Sequence, residues 1–239
     1  MIRILTLFIL FSVSPILSAN INPTGIFNNG DELKPLAGNV EMLSNQILDK
    51  LKNESQLPRK EVVQFAIAGY MNLLEEGKIS SGSPLSIIDF SLPSSKERLW
   101  IIDLEEGKLL HHSLVSHGRN SGDLMAKKFS NVNSSFMSSL GFYVTGETYQ
   151  GKHGYSLRLD GVEKGFNDLA RERAIVIHGA DYANRDFVKS TGRLGRSLGC
   201  PALPMGLHKE IINTIKGGSC LFIYGNDDNY LNKSPLINI

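Results

Sequence analysis

From Ser83 onward the chain is divided into short apolar runs separated by glycine-rich turns, a rhythm that restricts the fold more than any other feature. Residues 85–90, 99–103 and 109–115 come first, followed by 141–145, 155–160, 174–178 and 219–224. Runs this short, bounded by turn residues, suit strands rather than helices. Glu106-Gly107 predicts a hairpin between the second and third. Seven such strands predict a mainly β fold with a few helices, largely antiparallel, closing as a β-sandwich or half-open barrel. One helix interrupts the series, with Ile211, Ile212 and Ile215 on one face and Gly217-Gly218 as its stop.

The region before the strands reads differently. Arg3, the apolar run 4–13 and Leu17-Ser18-Ala19 have the layout of an export signal over residues 1–19. That run is too short to span a bilayer and Pro15 interrupts it, so no transmembrane segment is expected in the mature chain. Residues 20–82 form an Asn- and Gly-rich arm and then a helical pair. Val40, Leu43, Ile47 and Leu51 share one face after Asn39, a candidate N-cap. Val63, Ala66, Tyr70 and Leu73 share another, between Pro58 and Gly77. The pair is expected to pack on the main domain, residues 83–226, leaving 227–239 as a C-terminal tail. A formal net charge of +1 gives no basis for nucleic-acid binding. With only two cysteines the fold is not a disulfide scaffold.

The chemistry is concentrated between Ala174 and Leu203. An apolar strand delivers His178-Gly179, and a glycine-flanked turn presents Ser197-Leu198-Gly199-Cys200. A thiol needs a nearby base to act as a nucleophile at neutral pH, and backbone N–H groups to receive an oxyanion. Gly199 lets the turn close and a carbonyl approach, while Pro201 has no N–H to offer. The donors are therefore Cys200 itself with Gly199 or Leu198. The competing reading is a Cys200–Cys220 disulfide in a non-catalytic wall-binding domain, worth about 3 kcal/mol in the chain-entropy picture. His178 can reach a nucleophile from its strand end with its other nitrogen held by a backbone carbonyl. His117-Gly118 and His153-Gly154 repeat the dipeptide as decoys. Arg193 and Arg196 either pair with a substrate carboxylate or stand as solvated loop charges. Ser197 either shapes the turn or orients His178, and Tyr182 either walls the substrate site or packs on the surface. His111 and His112 point to opposite faces of a strand, and no His pair has the zinc-peptidase spacing. No metal or organic cofactor is expected.

With these residues the chain resembles the L,D-transpeptidase (YkuD-like) family, closest to its murein L,D-transpeptidase catalytic domain branch. The resemblance rests on His178-Gly179-Ala180 and on Gly195 to Ala202, GRSLGCPA. It extends to Asp89-Phe90-Ser91, Ser116-His117-Gly118-Arg119, Phe129-Ser130-Asn131 and Ser138-Ser139-Leu140-Gly141. It implies Cys200 as nucleophile, His178 as base and the Gly199–Cys200 backbone as oxyanion site. It further implies a mostly β fold and an exported envelope enzyme acting on peptidoglycan stem peptides. Such an enzyme releases the terminal D-residue through a thioester and passes the acyl group to an amine; with water as acceptor it is an L,D-carboxypeptidase. Leu198 and Ala202 stand where the wider family has His and commonly Arg, which leaves acceptor choice open.

Overall fold

The computed structural model describes residues 37–54 and 56–237. The expected export signal and arm lie outside these residues. Two helices come first, α1 (Ala37–Lys50) and α2 (Lys60–Glu75). Val40, Ile47 and Leu51 of the first pattern are buried, as are Val63, Ala66, Tyr70 and Leu73 of the second. Asn39 lies inside α1 and does not cap it, and α2 begins after extended Arg59 without a side-chain cap. At the other end of α2, Gly77 takes φ +64°. The Lys78 N–H donates to Leu73 O (2.9 Å) and the Gly77 N–H to Leu74 O (3.0 Å). This is a Schellman stop, so the glycine read as a terminator acts through a left-handed turn. Gly69, in mid-helix, has a packing reason: a Cβ there would lie 2.1 Å from Phe142 Cζ, so only glycine lets the helix press onto the sheet.

The sheet has eight strands: β1 (Leu85–Asp89), β2 (Leu99–Asp103), β3 (Lys108–Ser113), β4 (Gly141–Gly151), β5 (Gly154–Gly161), β6 (Val176–Ala180), β7 (Ala202–Pro204) and β8 (Cys220–Tyr224). Their order is β3-β2-β1-β8-β4-β5-β6-β7. Seven of them overlap the apolar runs, but β4 continues to Gly151 and β6 is displaced to Val176–Ala180, so His178 lies at the middle of its strand and not at its end. The eighth, β7, is three residues long, too brief for any periodicity to show. β1–β8 and β6–β7 pair in parallel while the other neighbours are antiparallel, so the sheet is mixed with an antiparallel majority. Past β3, Ser116 bridges to Ala202 and Gly118 to Ser197. These bridges bring the chain leaving one edge strand to the strand at the opposite edge, curling the sheet into a half-open barrel.

α4 (His208–Ile215) is the expected isoleucine helix, with Ile211, Ile212 and Ile215 buried. Two short helices go beyond the expectation. α3 (Arg185–Thr191) has no buried residue, hence no apolar stripe to betray it, yet its caps are regular: Asn184 accepts from the Phe187 N–H and Gly192 adopts φ +79°. α5 (Asp228–Lys233) falls in the expected tail, where Tyr230 is buried and its hydroxyl donates to Glu163 Oε2 at 3.0 Å. No helix among the described residues is long and apolar enough to cross a membrane.

Candidate active site

β6 and β7 pair in parallel with His178 opposite Ala202. Adjacent strands lie about 4.8 Å apart, so this register brings the end of the Cys200 turn alongside His178. The two residues line one cavity of about 450 Å³, together with Tyr182, Arg196, Ser197 and Leu198 among others. Cys200 is half-buried and free, as is the fully buried Cys220. The disulfide alternative is therefore corrected. Its physical reason is the sheet order, in which Cys220 begins β8, four strands removed from β7. Bonded cysteines need Cα atoms within about 7 Å of each other.

The turn is stitched by Ser197. Its hydroxyl donates to Cys200 O (2.6 Å) and accepts from the Gly199 N–H (3.1 Å). The Gly199 amide is thus engaged within the turn. Gly199 sits at φ +126°, and a Cβ there would lie 2.9 Å from Met137 O and 3.0 Å from Ile175 Cδ1. No other residue fits that corner without displacing backbone.

The Cys200 thiol donates to the carbonyl of Ala174 at 3.6 Å. Ala174 holds a left-handed φ of +54°. That conformation is uncommon for a residue with a Cβ. Burial pushes the thiol above the ordinary cysteine value; the Val176 backbone and the charges of Arg173 and Lys152 pull in the opposite direction. The His178 Nδ1–H donates to Gly179 O at 3.0 Å, since a carbonyl can only accept. That leaves Nε2 as the nitrogen able to take a proton. Burial is the leading cause that holds His178 below the ordinary histidine value. The two groups face one cavity without a hydrogen bond between them: the thiol's bond goes to Ala174 O and the His178 Nδ1–H bond to Gly179 O.

The remaining expected residues divide. Tyr182 lines the cavity, its phenol pushed up to about 12 by burial. Arg196 also reaches the cavity, but its guanidinium bonds Asp123 (2.7 Å) and the carbonyls of Arg119 and Gly122. Arg193 is not among the cavity residues and donates to Leu194 O (2.7 Å). Leu198 is 51% exposed at the cavity rim, and Ala202 is fully buried.

The two decoy histidines separate clearly. His117 is buried, with Nδ1 2.8 Å from Arg98 Nη2. Arginine has only donors, so Nδ1 accepts and Nε2 carries the hydrogen. The Nε2–H donates to Gly122 O at 3.3 Å. Burial first, then the charge of Arg98, takes His117 down to about 4, which keeps it neutral near pH 7. His153 lies in the cavity wall and stacks on His178. The sequence reading missed that placement, although a Gly-flanked polar stretch between two apolar runs is itself a hairpin-tip signal. It also missed Arg173. This side chain donates to Ser130 O (2.7 Å), Met137 O (2.8 Å), Ser135 Oγ (3.2 Å) and Ser139 Oγ. It thereby holds the serine-rich loop, residues 130–139, whose Asn133, Ser134 and Phe136 form part of the cavity wall.

No curated protein matches the chain. Among solved structures it is similar to an L,D-transpeptidase from Mycobacterium smegmatis, at 13% identity over 60% of this chain and 59% of that chain, with a TM-score of 0.39. It is similar to L,D-transpeptidase 3 from Mycobacterium tuberculosis at 11% identity over 60% and 61%, with a TM-score of 0.38. An Enterococcus faecium L,D-transpeptidase mutant matches at 14% over 59% and 50%, with a TM-score of 0.35. In each case the chain spans less than two thirds of the other's length. The family model described as L,D-transpeptidase catalytic domain matches residues 53–224, well over half of the sequence, and the chain belongs to that family.

Proposed function

We propose that the protein is a cysteine-dependent L,D-transpeptidase acting on peptidoglycan stem peptides in the cell envelope. The observation that supports this reading is the shared cavity of Cys200 and His178, aligned by the β6–β7 register. His178 Nε2 takes the Sγ–H proton as the sulfur attacks the stem carbonyl, forming a C–S bond. The oxyanion is met by the Cys200 N–H, the turn amide not committed to Ser197. Collapse breaks the C–N bond, and His178 returns the proton to the departing D-residue amine, leaving a thioester. An amine of a second stem then attacks the thioester carbon, forming a C–N bond while His178 takes the amine proton; the C–S bond breaks and His178 passes that proton to Sγ, restoring the thiol. Water in place of the amine gives L,D-carboxypeptidase activity from the same intermediate. Tyr182 and Leu198 offer the substrate an apolar wall, and Arg196 a charge at the rim. No metal or organic cofactor enters these steps. Export follows from the layout of residues 1–19.

Purified protein incubated with tetrapeptide muropeptides is expected to release the terminal D-residue and form cross-linked dimers, both lost in Cys200→Ala. Equal product from wild type and Cys200→Ala would refute the assignment. A shortened stem without dimers would identify water as the acceptor.

A further inference from the structure

The β4–β5 hairpin turns at Gly151 and Gly154 and carries Lys152 and His153 to the wall of the Cys200 cavity. The His153 ring lies over the His178 ring, with centroids 4.4 Å apart and an interplanar angle of 24°. None of the steps above uses this contact. A histidine base works only when its ring plane aims Nε2 at the sulfur, and χ2 of histidine is a broad torsion. The Nδ1–H bond to Gly179 O ties one corner of the ring. A parallel stack on the ring face removes the remaining swing.

The groups around His178 can be taken element by element. The hairpin contributes Lys152 and His153, α4 contributes His208, β6 the Gly179 carbonyl, and the turn before β7 the Cys200 thiol. A positive charge on His153, His208 or Lys152 opposes a proton on His178, as burial does more strongly, and only the Gly179 carbonyl favours one. Two imidazolium rings at stacking distance repel, so the pair titrates as a coupled unit.

We propose that His153 is a positioning residue for His178: the hairpin tip lays its ring on the base, fixes the plane of that ring, and makes the two rings share at most one proton. This rests on the reading of His178 as the base for Cys200.

The test follows the histidine ring resonances by NMR across a pH titration, in wild type, His153→Phe and His153→Ala, alongside kcat and KM for D-residue release. In His153→Phe a repelling neighbour gives way to an aromatic face that attracts a cation, so the His178 midpoint moves to higher pH. A base must be neutral to act; a higher midpoint therefore moves the acid limb of kcat to higher pH as well. His153→Ala loses the stack, and kcat at pH 8 falls about tenfold while KM changes less than about twofold. His153→Phe, which keeps a stacked ring, restores most of that kcat. An unchanged His178 midpoint in both variants, or wild-type kcat in His153→Ala, would overturn the proposal. If wild type shows no Cys200-dependent release at all, the functional assignment fails, and the NMR midpoints still decide whether the two rings are coupled.

Discussion

Arg173→Met is expected to loosen one wall of the cavity while leaving the sheet intact. Methionine keeps much of the apolar stem but removes the guanidinium, and with it donors to two main-chain carbonyls and two serine hydroxyls of residues 130–139. The side chain is half-buried. Hydrogen bonds from a charged group contribute about 1.5–3 kcal/mol each, and partial exposure reduces that share to about 1 kcal/mol. The loop also holds Ser134 and Phe136 at φ +59° and +55°. Such a conformation must be imposed from outside. Once Arg173 is gone, the loop relaxes and recovers part of that strain. The net loss is about 3 kcal/mol, which for a domain of this size lowers Tm by about 10 °C. Urea unfolding measures the loss, and hydrogen exchange locates it. Protection should drop in residues 130–139 and persist in β1, β4 and β8. Because Asn133, Ser134 and Phe136 line the cavity, KM for stem peptides should rise several-fold, more than kcat falls. A stability loss below about 1 kcal/mol, the share of a single such bond, with exchange in 130–139 unchanged, would refute the reasoning.

Gly199→Ala should abolish Cys200-dependent turnover, because its Cβ collides with Met137 O. The strain stays in the turn, so the cost to stability is modest, about 2 kcal/mol by thermal melt; full activity would show that the turn is soft. Tyr230→Phe removes one of the donors to the buried Glu163 carboxylate. Losing that bond should cost about 1–2 kcal/mol in urea unfolding. Glu163 is held above the ordinary carboxylate value, chiefly by burial. The native state therefore keeps its proton to higher pH than the unfolded chain, and stability falls as pH rises from the ordinary value through the raised one. Glu163→Gln should flatten that slope in pH-dependent unfolding, and an unchanged slope would show that other groups cause it.

The parts of the fold visible in the sequence are those that bury apolar surface. Seven strands, the isoleucine helix and both N-terminal helices announced themselves through residues the core requires. β7 and α3 did not, because one is three residues long and the other buries nothing. Of the residues that the sequence singles out, Cys200 and His178 line one cavity, carried there by a turn and a strand that can be read locally. Arg173 and His153 were not legible, since their roles arise from contacts across the fold, to a loop some forty positions away and to a strand reached by a hairpin. Asn39 illustrates the reverse case: α1 begins two residues earlier, at Ala37, so a good capping residue lies inside the helix.

The bridge from Ser116 to Ala202 has a consequence for how such a site can change over time. Ala202 is paired with His178 on one side and Ser116 on the other. The spacing between the strand that carries His178 and the strand that follows Cys200 is thus held by main-chain ladders. Leu198, half exposed at the cavity rim, makes none of these main-chain pairs. On the proposed function, a residue at such a position can be exchanged with the two strands left in register while the surface offered to the acceptor is rewritten.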